Sequence, residues 1–358
     1  MDDERPLNLY EYEGRARGRL SPMAWDYYSS GALDEITLRA NREAFDRLEL
    51  RYRVLRGVAA PDTSTTLLGR RHDWPLLIAP TAFARLAHPE GELALARAAA
   101  ANRVTMTLST LSTTTLEEIA TASAQPKWFQ LYVFRDRDLT AALVRRAEAA
   151  GYEALVLTVD APQLGRRERD TRNRFALPPG LEAANIAAHL PPVDAGDEGS
   201  GLAHFFATQI DPTLTWSDVD WLRSLTGLPV LLKGVVHPDD ARLALDHGAA
   251  GVIVSNHGGR QLDTAVAAVR ALPDVAAAVE GRAAVLLDGG IRRGTDIVKA
   301  LALGADAVLL GRPVLWGLAV EGEPGVDHVL RLLRAEFEHA MLLCGAGSRA
   351  GLDVDLLL

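Results

Sequence analysis

His257 and Arg260 stand three residues apart in the stretch GVIVSNHGGRQLD, Gly251 to Asp263. An imidazole takes or gives a proton near neutral pH, and a guanidinium holds a carboxylate through two parallel hydrogen bonds. The two side chains together suit a base set beside an anion clamp. For this stretch by itself a structural histidine next to a solvated arginine is the plainer alternative, and the rest of the chain decides between them. Arg167 brings a second guanidinium, so that two arginines can grip one carboxylate from two sides. Asp160 suits a partner that fixes the tautomer of His257, leaving the ring to remove a proton from an α-hydroxy group or its carbon. Tyr27 and Tyr132 add hydroxyls for a carboxylate or a substrate oxygen, or serve as core packing.

A second group suits a larger ligand. Thr81, Ser109, Gln130 and Thr158 form a series of hydroxyls and an amide that fits a flat heteroaromatic ring with several donors and acceptors. Lys233 adds a fixed positive charge, which over an isoalloxazine would stabilise the negative charge that develops on reduction. A Schiff-base lysine is the rival reading. The segments Asp288-Gly289-Gly290-Ile291-Arg292-Arg293 and Gly311-Arg312 combine glycines, which let backbone N–H groups approach a ligand, with arginines that make charge-assisted bonds. That composition suits a phosphate, against turns and solvated arginines. Phosphate and ring together point to flavin mononucleotide (FMN). No set of residues is singled out as metal ligands.

The elements that must position these groups are short apolar runs, each followed by an amphipathic Ala-, Leu- and Arg-rich segment. The runs are Pro75–Pro80, Val104–Leu108, Trp128–Val133, Ala154–Val159, Pro229–Lys233, Gly251–Val254, Ala283–Asp288 and Ala307–Leu310. Eight strands with crossover helices predict a closed parallel (β/α)8 TIM barrel, an α/β fold. A doubly wound open sheet competes, but it usually carries its glycine fingerprint early, and here the glycine-rich strand ends fall late. Apart from Tyr27, which precedes the first run, the chemical residues above lie toward or just past the C-terminal ends of these runs, where barrels carry their sites, and the phosphate-like segments follow strands seven and eight.

One domain over residues 1–358 is expected. Residues 1–74, read as helical and containing Trp25-Asp26-Tyr27-Tyr28-Ser29-Ser30-Gly31, form an N-terminal cap; 75–320 form the barrel, and 321–358 a C-terminal helix. The connection after strand four is far longer than a crossover requires. Its Pro-, Gly- and Asp-rich middle, Leu177–Gly201, predicts a mobile lid over the barrel mouth.

Composition narrows the partners. The net charge of −9, from 38 basic and 47 acidic residues, argues against nucleic acid or an anionic membrane surface. The single cysteine, Cys344, excludes an internal disulfide. Its helical-period neighbours Val326, Val329, Leu330, Leu333, Phe337 and Met341 make it a buried helix residue rather than a nucleophile. No apolar run is long enough to span a bilayer, and MDDERPLNLY has no apolar signal core, so a soluble cytoplasmic protein is expected.

Several segments are recognisable as a set: APTA at Ala79–Ala82, QLY at Gln130–Tyr132, LTVDAPQLGRRE at Leu157–Glu168, LLKGV at Leu231–Val235, SNHGGRQLD at Ser255–Asp263, LDGGIRRGTD at Leu287–Asp296 and LGRP at Leu310–Pro313. In content and order they resemble the FMN-dependent L-2-hydroxy-acid oxidase family, whose members act on glycolate, lactate and mandelate. The resemblance runs from the segment near Asp26 to the last helix. It implies a flavin barrel, usually a homotetramer, that converts an α-hydroxy acid to an α-keto acid and is reoxidised by oxygen to give hydrogen peroxide. It further implies His257 as proton acceptor with Asp160 as its partner, Arg167 and Arg260 as the carboxylate clamp, and Tyr27 and Tyr132 as substrate-binding tyrosines. Lys233 corresponds to the residue at the flavin N1/O2 edge. Thr81, Ala82, Ser109, Gln130, Thr158 and Ser255 correspond to further cofactor contacts, and Asp288, Gly290, Arg292, Gly311 and Arg312 to ribityl and phosphate contacts.

The chain departs from the glycolate-specific pattern at Leu111, where that subgroup has tryptophan, and at Phe83 and Phe206. Leucine in place of an indole removes a polar N–H and frees volume for a substrate methyl or longer alkyl group, each CH2 being worth roughly 0.8 kcal/mol. Lactate or a somewhat larger 2-hydroxy acid is therefore expected over glycolate, unless neighbours repack into the space. A dehydrogenase passing electrons to a quinone or other acceptor is the alternative. An FMN isomerase and a non-catalytic flavin-binding barrel remain open beside it.

Overall fold

The computed structural model describes residues 5–189 and 200–358. It contains a two-stranded antiparallel hairpin, β1 (Thr65–Leu67) and β2 (Arg70–His72), followed by a closed ring of eight parallel strands. These are β3 (Leu76–Ile78), β4 (Thr105–Leu108), β5 (Lys127–Leu131), β6 (Ala154–Thr158), β7 (Val230–Val235), β8 (Gly251–Val254), β9 (Ala284–Asp288) and β10 (Ala307–Leu310). Neighbours follow chain order, and β10 pairs back onto β3 through Val308–Leu76 and Leu310–Ile78 to close the barrel. The expected eight-stranded TIM barrel is thus the fold.

The strands read as unbroken apolar runs because both faces are covered. One face meets the outer helices and the other fills the barrel. The crossover helix Arg137–Ala149 illustrates the outer layer. The Asp136 side chain accepts from the amides of Asp138 and Leu139 at its start, and Leu139, Leu143, Val144 and Ala147 form its buried face.

Inside the barrel the two-residue period of the strands sorts chemistry by height. Leu77, Trp128, Val156, Leu231, Ile253, Leu286 and Leu309 pack as one buried cluster near the N-terminal end. Two residues further along, the same inward row becomes Gln130, Thr158, Lys233, Ser255, Asp288 and Gly311. One alternation therefore builds both an apolar plug and a polar mouth.

The N-terminal seventy residues correct the all-helical expectation. Helices Leu9–Arg19, Pro22–Ser29 and Ile36–Asp46 are followed by a non-helical stretch and then by the β1–β2 hairpin. Its turn, Leu68-Gly69, has φ of 51° and 77°, the two positive values that a two-residue hairpin of primed type demands. The hairpin inserts Leu67 into the apolar plug and so closes the barrel floor. The C-terminal helix Glu323–Cys344 ends on a left-handed Gly345, and Cys344 is buried as expected.

Of the expected lid, Leu177–Gly201, residues 190–199 lie outside the described residues. The described part before them is tied down. Asn185, buried, accepts from the Leu116 amide at 2.8 Å and donates to Ser112 Oγ at 2.8 Å. Beyond them, helix Gly201–Gln209 returns the chain to the mouth. Among the described residues no helix is long and apolar enough to cross a membrane.

Candidate active site at the barrel mouth

A pocket of about 1020 Å3, counting solvent at its opening, sits over the C-terminal ends of the barrel strands. Its wall is assembled from nearly every strand end, because the strands converge there while their loops diverge.

His257 follows β8 in a left-handed conformation, φ 58°, and begins three successive positive φ values with Gly258 and Gly259. This tight reversal turns the imidazole back over the mouth. Its Nδ1 lies 2.9 Å from Asp160 Oδ1, supplied by the loop after β6. A carboxylate only accepts, so Nδ1 carries the proton and Nε2 keeps the lone pair. Burial depresses the imidazole pKa below its ordinary value, with Asp160 opposing and Lys233 and Arg167 reinforcing the shift. Gly234, φ 111°, lets β7 pass beside Asp160; a Cβ there would meet the Asp160 Cβ at 2.5 Å.

Arg260 lies 5.0 Å from the centroid of the Tyr27 ring and donates to the Tyr27 and Ser30 carbonyls. Arg167 is buried and donates through Nε to the Arg260 carbonyl at 3.3 Å. Burial first, and then the like charge of Arg260, pull its pKa down to about 10, so it is still a cation at neutral pH. Tyr27 stacks on Phe175 at 4.4 Å, and Tyr132 meets the edge of Phe206 at 5.2 Å. Burial raises the pKa of both tyrosines, keeping their hydroxyls protonated.

On the far side, Ser109 Oγ donates to Gln130 Oε1 at 3.2 Å and Gln130 Nε2 donates to Thr158 Oγ1 at 3.0 Å. Lys233 Nζ lies 2.8 Å from Asp288 Oδ2. Burial works against the ammonium, but Asp288 and Asp160 outweigh it and its pKa rises above the ordinary lysine value. At the strand-seven and strand-eight ends, Arg312 donates to the Tyr28, Ser30 and Gly258 carbonyls at 2.8–3.0 Å. Burial, then Arg260 and Arg292, press its pKa down to about 9.

Residues Thr81, Ala82, Ser109, Leu111, Gln130, Thr158, Lys233, Asp288, Gly290, Arg292, Gly311 and Arg312 line this pocket together with Tyr27, Tyr132, Arg167, Phe206, His257 and Arg260. Asp160 stands behind His257. Two more of the expected residues are not part of the pocket lining. Ser255 is fully buried beneath the wall, where its hydroxyl donates to Asp288 and accepts from Lys233 and the His257 amide. Phe83, also fully buried, packs behind Tyr27 against Phe175.

Sequence reasoning missed Leu164 and Leu202, apolar pocket walls from the loop after β6 and from helix Gly201–Gln209. It also missed Glu92, a fully buried carboxylate that accepts from the Ala84 and Thr113 amides and the Thr113 and Thr114 hydroxyls, tying the loop after β3 to the loop after β4. The fall of Glu92 just inside helix Gly91–Ala101 gave no signal, because acids are ordinary in a first turn.

The pocket fits FMN on its own features. Arg292 Nε is buried without a hydrogen-bond acceptor, and the nearest carboxylate to that guanidinium, Glu13, is 3.8 Å away. Arg312 is bonded only to carbonyls. One buried and one partly buried cation, both lacking a close anion, match a phosphate. Gly290, φ 89°, passes so close to the Asn41 carbonyl that no side chain fits there.

Comparison with known proteins agrees. The chain is 57% identical over 363 residues to an L-lactate oxidase of Nostoc sp., with 98% of each covered. It is 53% identical over 342 residues to a glycolate oxidase of Spinacia oleracea, covering 95% of this chain and 92% of that protein. A crystal structure of mandelate oxidase with (S)-4-hydroxymandelic acid superposes with a TM-score of 0.92 at 46% identity, over 99% of this chain and 98% of that one. The model of the family described as FMN-dependent dehydrogenase matches residues 16–358, and the chain belongs to that family.

Proposed function

We propose that the protein is an FMN-dependent oxidase of (S)-2-hydroxy acids, lactate or somewhat larger, yielding the 2-keto acid and hydrogen peroxide. One observation carries the reading: His257 Nε2 and the guanidiniums of Arg167 and Arg260 share one pocket with Lys233 and the Gln130–Thr158 ring.

Arg260 and Arg167 take the substrate carboxylate and fix the position of its α-carbon. Tyr27 and Tyr132, protonated, donate to the carboxylate and hydroxyl oxygens. His257 Nε2 accepts a proton from the substrate, and the resulting imidazolium is stabilised by Asp160 at Nδ1. FMN, when bound, would supply the acceptor for the two electrons that oxygen finally takes. Thr81, Ala82, Ser109, Gln130 and Thr158 would hold its ring, while Asp288, Gly290, Arg292, Gly311 and Arg312 would hold its ribityl and phosphate. Lys233 would present its ammonium to the ring, and its ion pair with Asp288 keeps that charge fixed.

Leu111, Leu164, Leu202 and Phe206 give the substrate side an apolar wall, which supports a substrate bearing an alkyl group. A peroxide-coupled assay across glycolate, lactate, 2-hydroxybutyrate, longer 2-hydroxy acids and mandelate, in both enantiomers, tests the proposal. Absence of peroxide with every (S) acid overturns it. A homotetramer completes the reading, supported by exposed Tyr52, Val54 and Leu55 on one extended stretch; light scattering tests it. A cytoplasmic setting rests on the sequence alone, and fractionation of the source cells tests it.

A further inference from the structure

Three other carboxylates around the mouth each hold at least one hydrogen-bonded partner, although Asp160 uses only Oδ1 and leaves Oδ2 without one. Asp160 binds His257, Asp288 binds Lys233 and Ser255, and Glu92 accepts four donors. Asp170 is different. It is 1% exposed, and neither carboxylate oxygen has a hydrogen-bond partner. It sits on the short helix Glu168–Arg172, directly after Arg167, with Oδ2 3.9 Å from Arg167 Nη1. Arg260 also lies within its electrostatic reach. The Phe175 amide donates to the Asp170 carbonyl at 2.9 Å, and Phe175 stacks on Tyr27, so this acid stands behind the whole anion clamp without entering the pocket.

A buried carboxylate without donors gains little for itself. Its effect falls on the two guanidiniums in front of it. We propose that Asp170 is the internal counter-anion of the Arg167–Arg260 clamp, a positioning residue that offsets the charge of the empty clamp and weakens its hold on carboxylates. This rests on the clamp assignment given under the proposed function. With no ligand present, Asp170 is the anion that lowers the cost of holding Arg167 buried beside a second guanidinium. When a substrate or product carboxylate arrives, it meets a clamp already half satisfied. Binding is thereby kept weak enough for the keto acid to leave.

The test is an equilibrium titration at neutral pH of FMN-loaded protein with oxalate, read from the flavin absorbance spectrum. It requires no turnover, so a protein that oxidised no hydroxy acid would leave it intact. Asp170→Asn should bind oxalate about 3- to 30-fold more tightly than the parent, the size expected when one charge several ångströms away is removed from a partly screened site. It should also melt lower than the parent without oxalate and recover more on adding it, because the ligand then supplies the missing anion. Glu168→Gln, which removes a half-exposed acid from the same helix, should leave the oxalate affinity unchanged. Unchanged or weaker oxalate binding in Asp170→Asn overturns the proposal, as does equal tightening in Glu168→Gln. If the Asn variant does not fold, Asp170→Ser, smaller and able to satisfy itself with water, carries the same titration and the same expected sign.

Discussion

The floor and the mouth of the barrel are built by the same strands and do opposite things. At the floor, Leu67, Leu77, Val156 and Ile253 exclude water and need no partners. At the mouth, two residues along the same inward rows, Gln130, Thr158, Lys233 and Asp288 are buried polar groups that require partners. The floor stabilises the fold through area removed from water, about 1.5–3 kcal/mol for each large apolar side chain. The mouth holds charges whose desolvation is offset only by each other and by a ligand. Stability and chemistry are separated by height in the barrel, so damage at each end should show in a different measurement.

The largest expected effect is at the mouth. His257→Gln should keep its FMN and lose about 10²- to 10⁴-fold in turnover, since the amide cannot accept the proton; parental turnover would remove His257 from its role. Leu67→Ala, at the floor, should cost about 2–5 kcal/mol of unfolding free energy while leaving activity per folded molecule intact. A loss of activity without a loss in denaturant midpoint would break the separation. Arg260→Lys gives up the forked contact and should raise the Michaelis constant for carboxylate substrates roughly 10- to 100-fold; an unchanged constant counts against the clamp. Leu111→Trp should shift selectivity toward glycolate by only a few-fold per CH2 of competing substrate, read from kcat/KM ratios.

The pH dependence sharpens the same contrast. Because burial holds the His257 pKa below the ordinary 6.5, kcat/KM should fall on the acid side only at pH below that value, as Nε2 becomes protonated. For stability the sign is the same. A depressed imidazole favours the folded state at high pH, and that contribution is lost as pH falls through 6.5 and on through the folded pKa. An acid limb centred above 6.5 contradicts the assignment of that limb to a buried His257.

Much of this was legible before any coordinates. The barrel strands are short apolar runs closed by polar ends, and two of them, Gly251–Val254 and Ala307–Leu310, have the same bounds in sequence and structure. Strand-end residues such as Gln130, Lys233 and Asp288 could be placed because parity and position agree. What could not be read depends on rotation about a loop. Phe83 is two residues from Thr81 yet packs behind Tyr27 outside the pocket lining, and Ser255, in the same layer as Lys233 and Asp288, is buried in hydrogen bonds to both. The β1–β2 hairpin was hidden because three-residue strands carry too little alternation to register. Glu92 and Asp170 act from behind the wall, and nothing local marks an acid as buried.

The left-handed backbone at His257 has an evolutionary reading. A β-carbon at that φ costs on the order of 1 kcal/mol or more, a penalty that glycine escapes. The position is therefore held against its own local preference, and under the proposed function turnover is what the strained imidazole returns. In a lineage that no longer needed the reaction, this codon would be among the first to drift, and glycine or asparagine would be its natural destination.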